Sequence, residues 1–155
     1  MIKQMGKVRK NPYGSPLSKY ARILLYVVDT DAWRALGTAS HSLFILLSLE
    51  WNGPNYNNNG KISLSVRQAA ERMGVSRDTA AKAFRDLQAK GFIVVTKGGS
   101  LGVTGHGKCP EYEITSIELP HKEKSNHFLH WTHGNDFDVF VHPVKNPDGK
   151  NKGLS

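Results

Sequence analysis

The stretch Ser65–Gly91, SVRQAAERMGVSRDTAAKAFRDLQAKG, decides how the rest of the chain is read. Ser65 is a helix-start residue and Gln68 follows three places on, the spacing of a capping box. Ala69, Ala70 and Met73 then supply a short apolar face. Gly74 ends this first helix, because the closing residue must turn left-handed and glycine does so without strain. Val75 is placed to plug the corner. Ser76 can cap a second helix by accepting a backbone N–H bond. That helix runs from Arg77 to about Lys90, with Ala80, Ala83, Phe84 and Leu87 in one stripe at i, i+3, i+4 and i+7. Gly91 stops it. Two helices crossing steeply through a tight turn touch closely, so only small side chains fit at the crossing. Ala70, Gly74 and Ala80 have that spacing. The reading is a helix-turn-helix; an ordinary antiparallel helix pair is the alternative.

Working outward, Lys61–Leu64 reads as a short strand just before the pair, and WNGPNYNNNG at 51–60 as a polar loop. Upstream, a helix starting at Thr38 or Ser40 and running to about Glu50 is apolar on most sides, so it should be the central buried helix. His41 within it is expected to be structural. A brief helix capped by Asp29 or Asp31 runs through Trp33 and Leu36 to Gly37. YARILLYVV at 20–28 is rich in aromatic and β-branched residues and is read as a short strand or extended segment, a helix being the alternative for so short a run. Downstream, FIVVT at 92–96 is β-forming. KGGSLGVTGHGKC at 97–109 carries five glycines in thirteen residues, and EYEITSIEL at 111–119 alternates loosely. That is a hairpin with a long tip.

The order from Thr38 to Leu119 is helix, short strand, helix, turn, helix, strand, loop, strand. In this the chain resembles the winged helix-turn-helix domains of bacterial transcription regulators of the MarR and GntR type. It is similar also to the DNA-binding modules of phage and plasmid replication proteins. The phrase ISLSVRQAAERMGVSRDTAAKAFRDLQAKGFI carries the resemblance. It implies an α+β, mainly helical fold: a winged helix-turn-helix with a two-stranded β wing. The domain organisation expected is a disordered basic arm at 1–19, a winged-helix domain at 20–119 and a partly disordered extension at 120–155.

Charge distribution agrees with such a reading. The 155 residues carry a formal net charge of +8 and a pI near 9.7, with 39% hydrophobic residues. Residues 1–22 hold six positive side chains and no acid, and residues 61–97 hold eight positive and three negative. Residues 111–155 hold five positive and seven negative. A polyanion would therefore meet the arm and the helix pair. One cysteine, Cys109, excludes an internal disulfide and fits a reducing cytoplasm; a plain thiol is expected. The N-terminus has no apolar signal core, and LFILLSL at 43–49 is too short to span a bilayer, so no membrane role is expected.

On the second helix, the side opposite the apolar stripe presents Asp78, Lys82 and Arg85, with Arg77 and Thr79 at the tip. A helix tip in a major groove brings its first turn closest to the bases. Arg77 and Arg85 have the fork geometry for guanine O6 and N7, and Lys82 suits a base edge or a phosphate. Asp78 either accepts from cytosine N4 or orients Arg77 or Lys82. Ser65 and Arg67 at the start of the preceding helix, with Ser76 at the next, suit phosphate oxygens. Lys97 opens the wing, and His106 and Lys108 lie at its tip.

Two other constellations compete with this reading. His127, His130 and His133 stand three apart, but without paired cysteines and with Gly134 following they predict no metal site. Asp136 and Asp138 near these histidines suggest a nuclease only weakly, and no nucleophile elbow, phosphate loop or paired-carboxylate motif is present. The expectation is no enzyme and no cofactor. It is instead a protein that binds double-stranded DNA sequence-specifically, most simply a small cytoplasmic transcriptional repressor acting as a homodimer. The dimer would form through 20–28 or 127–144, since one reading helix covers only a half-site. The alternatives are an origin-binding replication or mobile-element protein, and a winged-helix module that contacts a protein.

Overall fold

A computed structural model describes residues 16–99 and 109–140. Along them run α1 (Leu25–Val28), α2 (Asp31–Ala35), α3 (Thr38–Glu50), β1 (Ile62–Ser63), α4 (Val66–Met73), α5 (Arg77–Ala89), β2 (Ile93–Lys97) and β3 (Glu111–Ile114). Short 3-10 turns occupy Pro54–Tyr56 and His127–His130. The described residues thus form an α+β structure of five α-helices and one antiparallel sheet.

Helix α3 is central, as its composition predicts. It buries Ser40, Leu43, Phe44, Leu47 and Ser48 and packs on both α4 and α5. It starts at Thr38, as expected, and its N-cap Gly37 offers no capping side chain. Asp86 of α5 does the capping from outside. Its Oδ2 accepts from the Gly37 N–H at 2.9 Å and from the Ser40 hydroxyl at 2.6 Å. In α2 the cap is Thr30, whose hydroxyl accepts from the Trp33 N–H, and neither Asp29 nor Asp31 takes that place.

Beneath these helices lies an aromatic cluster. Phe92 stacks on Phe128 at 4.9 Å between centroids and meets Trp33 and Phe44 edge-on at 5.8 and 5.7 Å. Phe128 and Trp131 are buried, so the core extends past Leu119. Each side chain of that size contributes about 2–3 kcal/mol through burial. Phe137 and Phe140 extend the same segment over the end of α5. The Phe137 N–H donates to the Ala89 carbonyl at 2.8 Å, and the Phe140 N–H donates to Gln88 Oε1 at 2.9 Å.

Two further expectations are corrected. Residues 20–28 contain no strand; the apolar run closes into the single turn α1. Its anchors are tertiary rather than a neighbouring strand. Val27 is buried, and the Tyr26 hydroxyl donates to Asn126 Oδ1 at 3.0 Å. The sheet has three strands in the order β1-β3-β2, the short strand expected before α4 joining the two of the hairpin. Ile62 lies opposite Tyr112, and Ile93 opposite Ile114, so the short strand before α4 closes the sheet. Finally, β3 ends at Ile114 instead of running to Leu119. Thr115 turns its hydroxyl to the Gly91 carbonyl at 2.6 Å, and the Ile117 N–H returns to the Ile114 carbonyl at 3.1 Å.

Loop 51–60 is polar but tightly tied. Buried Asn59 donates through Nδ2 to the carbonyls of Ile114 and Ile117 at 2.9 and 2.8 Å, and its Oδ1 accepts from the Ile114 N–H at 2.7 Å. Asn57 accepts from the Trp51 indole at 2.9 Å, and Asn58 donates to the Glu50 carbonyl at 2.9 Å. Among the described residues no helix is long and apolar enough to cross a membrane.

Candidate nucleic-acid interface

The Ser65–Gly91 unit is built as its spacing predicts. The Ser65 hydroxyl accepts from the Gln68 N–H at 3.0 Å while Gln68 Oε1 accepts from the Ser65 N–H at 3.1 Å, a complete capping box. Gly74 has φ +71°, and the Val75 and Gly74 N–H groups return to the carbonyls of Ala70 and Glu71. This Schellman closure satisfies carbonyls that the helix end leaves open. The same closure recurs at the end of α5, where Phe92 and Gly91 donate to Leu87 and Gln88 and Gly91 has φ +84°. Ala70 and Ala80 are buried, Val75 packs partly against the core, and Ser76 caps α5 by accepting from the Thr79 N–H at 3.1 Å.

Helix α5 therefore has two chemically distinct sides. Ala80, Ala83, Phe84 and Leu87 are buried. Arg77, Asp78, Lys82 and Arg85 are exposed, and Thr79 is half-buried under the Ser76 cap. The Lys82 ammonium lies 3.1 Å from the Asp78 carboxylate, so of the two roles open to Asp78 the free protein adopts the pairing with Lys82. Such an exposed i,i+4 pair is worth only a few tenths of a kcal/mol and is easily exchanged for another partner.

The basic residues of 61–97 separate into three groups. Arg72 lies 2.9 Å from Glu50 and ties α4 to α3, and Lys90 lies 2.9 Å from Asp86 in an i,i+4 pair at the end of α5; both pairs are largely shielded from solvent. Arg67 pairs with Glu71 at 3.5 Å and Lys82 with Asp78 on open surface. Lys61, Arg77, Arg85 and Lys97 make no ion pair among the described residues and are exposed. These four cations, without an ion pair among the described residues, lie on the helix pair, just before β1 and at the end of β2. Lys97 ends β2 just after a bulge at Val95–Lys97 and lies opposite Glu111. His106 and Lys108 lie outside the described residues.

Asp86 is the residue that sequence inspection missed. Burial raises its carboxyl, but hydrogen bonds from Ser40 and Gly37 and the Lys90 ammonium outweigh that and hold it below the ordinary aspartate range. It couples the exposed helix to the central one. Its signal was an acid at a half-inward position of an amphipathic helix, where the local partner Lys90 engages only one of its two oxygens. Burial likewise pushes the Tyr112 phenol upward, so it stays neutral beneath the sheet.

The histidines do not assemble. His127 stacks on Phe137 and His133 lies edge-on to Trp131, and among the described residues no group of three metal-ligating side chains forms. No family model matches the chain, and searches of the curated proteins and of the solved structures return no match.

Proposed function

We propose that the protein binds double-stranded DNA sequence-specifically as a winged helix-turn-helix, with α5 as the reading helix, and that it serves as a small transcriptional regulator of the repressor type. One observation carries the reading. Among the described residues Arg77 and Arg85 make no ion pair, and they stand on the exposed side of a helix whose other side is packed into the core. Both guanidinium forks are free for guanine edges, and a rigid support holds them in register. The capped start of α4 at Ser65 and Arg67 suits one phosphate strand, and Lys97 on the sheet suits the other. Asp78 keeps Lys82 extended until a phosphate or base displaces it.

The test is selection of genomic fragments by the purified protein near physiological salt, followed by sequencing. An inverted repeat over a promoter supports a dimeric repressor. Tandem repeats near an origin shift the role to replication, and no enrichment removes sequence-specific reading. On the selected site Arg77→Ala is expected to cost about 1–3 kcal/mol, while Lys97→Ala weakens all sequences alike. Equal losses on specific and random DNA for Arg77→Ala would end its base-reading role.

A further inference from the structure

Two tyrosine rings stand in solvent on segments that are themselves firmly held. Tyr20 is 78% exposed and Tyr56 79% exposed, and among the described residues neither ring makes a hydrogen bond or a ring contact. Loop 51–60 binds the amides of Asn57, Asn58 and Asn59 to the Trp51 indole, the Glu50 carbonyl and the Ile114 carbonyl. What it leaves outward is Pro54, Asn55 and Tyr56 on a 3-10 turn, with the Tyr56 N–H donating to the Gly53 carbonyl at 3.3 Å. On the other segment the Lys19 N–H donates to the Pro16 carbonyl at 3.1 Å, and Tyr26 and Val27 fix the following turn to the core. The Lys19 ammonium reaches Asn52 Oδ1 at 3.3 Å, which brings the two segments together. A tyrosine ring offers a large apolar face and has little conformational freedom to lose on binding. These two rings contribute nothing to the core.

Charge identifies the partner. Residues 16–28 and 51–64 carry Lys19, Arg22 and Lys61 and no Asp or Glu. Arg22 and Lys61 are exposed and make no ion pair among the described residues. Residues 1–15, which precede them in the chain, add Lys3, Lys7, Arg9 and Lys10, again without an acid. Cations beside open aromatic rings suit a polyanion that also offers flat faces for stacking. A duplex hides the faces of its bases, whereas an unpaired strand exposes them, and every base has one. An acidic peptide would meet the cations but not the rings. We infer that this surface binds single-stranded nucleic acid, with bases stacked on Tyr20 and Tyr56 and the phosphates held by Lys19, Arg22 and Lys61. The exposed Asn52 and Asn55 lie between these groups in the chain and can bond to base edges. The surface uses none of the residues assigned to duplex DNA on α4, α5 and β2, so it does not rest on that reading.

Fluorescence anisotropy of labelled oligothymidylate and oligouridylate, each of about 15 nucleotides, titrated with the full chain near physiological salt, tests it. Micromolar or tighter binding is expected, and the tighter of the two tells a DNA strand from an RNA strand. Tyr20→Ala and Tyr56→Ala should each weaken it at least about fivefold. Tyr56→Phe should bind like the wild type, because the ring face and not the hydroxyl is used. Both rings are exposed, so the melting curves should not change; if Tyr56→Ala disturbs the loop, Tyr20→Ala still decides. Arg77→Ala and Arg85→Ala should leave the single-strand affinity as it is. Absence of binding overturns the proposal. So does binding that both alanine variants retain, which is phosphate attraction alone, and so does equal displacement by an unselected duplex or by polyglutamate. A chain that binds single strands and selects no duplex overturns the duplex reading and leaves this one standing; one that selects a duplex and ignores single strands does the reverse.

Discussion

Helix α4 and loop 51–60 adjoin in the chain and are held by opposite means. The helix is opened by Ser65 and closed by Gly74, each through bonds to residues three to five places away. The loop is closed by Asn57 and Asn59, whose amides reach carbonyls 55 to 61 residues downstream. Capping chemistry acts within a turn, so its residues and spacing announce it. A buried amide bonded across the fold looks, in sequence, like any asparagine in a polar loop. Both regions are well defined in space; they differ in how far apart in the chain their partners lie.

The sharpest way to break this comparison is Asn59→Ala. It takes their side-chain partner from the Ile114 N–H and the Ile117 carbonyl, while the Ile114 carbonyl keeps the Ile117 N–H, and each such orphan costs about 1–3 kcal/mol. A total loss of about 4 kcal/mol in urea unfolding is expected. Asn59→Asp should be nearly as damaging, because it keeps the acceptor and loses the donor. A loss below about 1 kcal/mol for the alanine variant would mean that water replaces the amide and that the loop is not a structural element.

The second test compares two glycines that close helices in the same way. Gly74 and Gly91 both have positive φ, but a Cβ at Gly74 meets nothing within 4 Å, whereas at Gly91 it meets Phe137 at 2.7 Å and the Phe128 nitrogen at 2.9 Å. Gly74→Ala therefore measures backbone strain alone, about 1 kcal/mol. Gly91→Ala adds displacement of the C-terminal segment and should cost about 3 kcal/mol. Equal losses in thermal unfolding would show that residues 137–140 contribute nothing to the fold.

These magnitudes explain what could be read beforehand. The helix pair, the short strand before it and the central helix were legible, because caps, left-handed closures and a 3.6-residue stripe are local. The basic face was legible in composition, but not which of its cations are free. Arg72 and Lys90 read like Arg77 and Arg85 until Glu50 and Asp86 are seen beside them. The strand expected at 20–28 failed because a short apolar run fits a strand and a single helical turn equally, and the tertiary bond at Tyr26 decides. The strand expected to reach Leu119 failed because Thr115 and Asn59 end it from across the fold.

Asp86 stands between the two regimes, for it lies inside the legible helix pair yet caps a helix 46 to 49 residues away. Its folded carboxyl titrates below the unfolded one, so the stability it contributes is present above the unfolded value and is lost as pH falls through the folded value. Unfolding measured from neutral pH downward should therefore show a loss that begins near about pH 4. Asp86→Asn should cost about 1 kcal/mol at neutral pH, kept small because the carboxylate is partly solvated, and should flatten that acid limb. Asn can accept through one oxygen but cannot hold Lys90 by charge, so Lys90→Gln in the same background should add little. If instead the two variants lose stability additively, the Lys90 contact at 2.9 Å acts separately from the cap on α3, and the coupling of α5 to α3 runs through Gly37 and Ser40 alone.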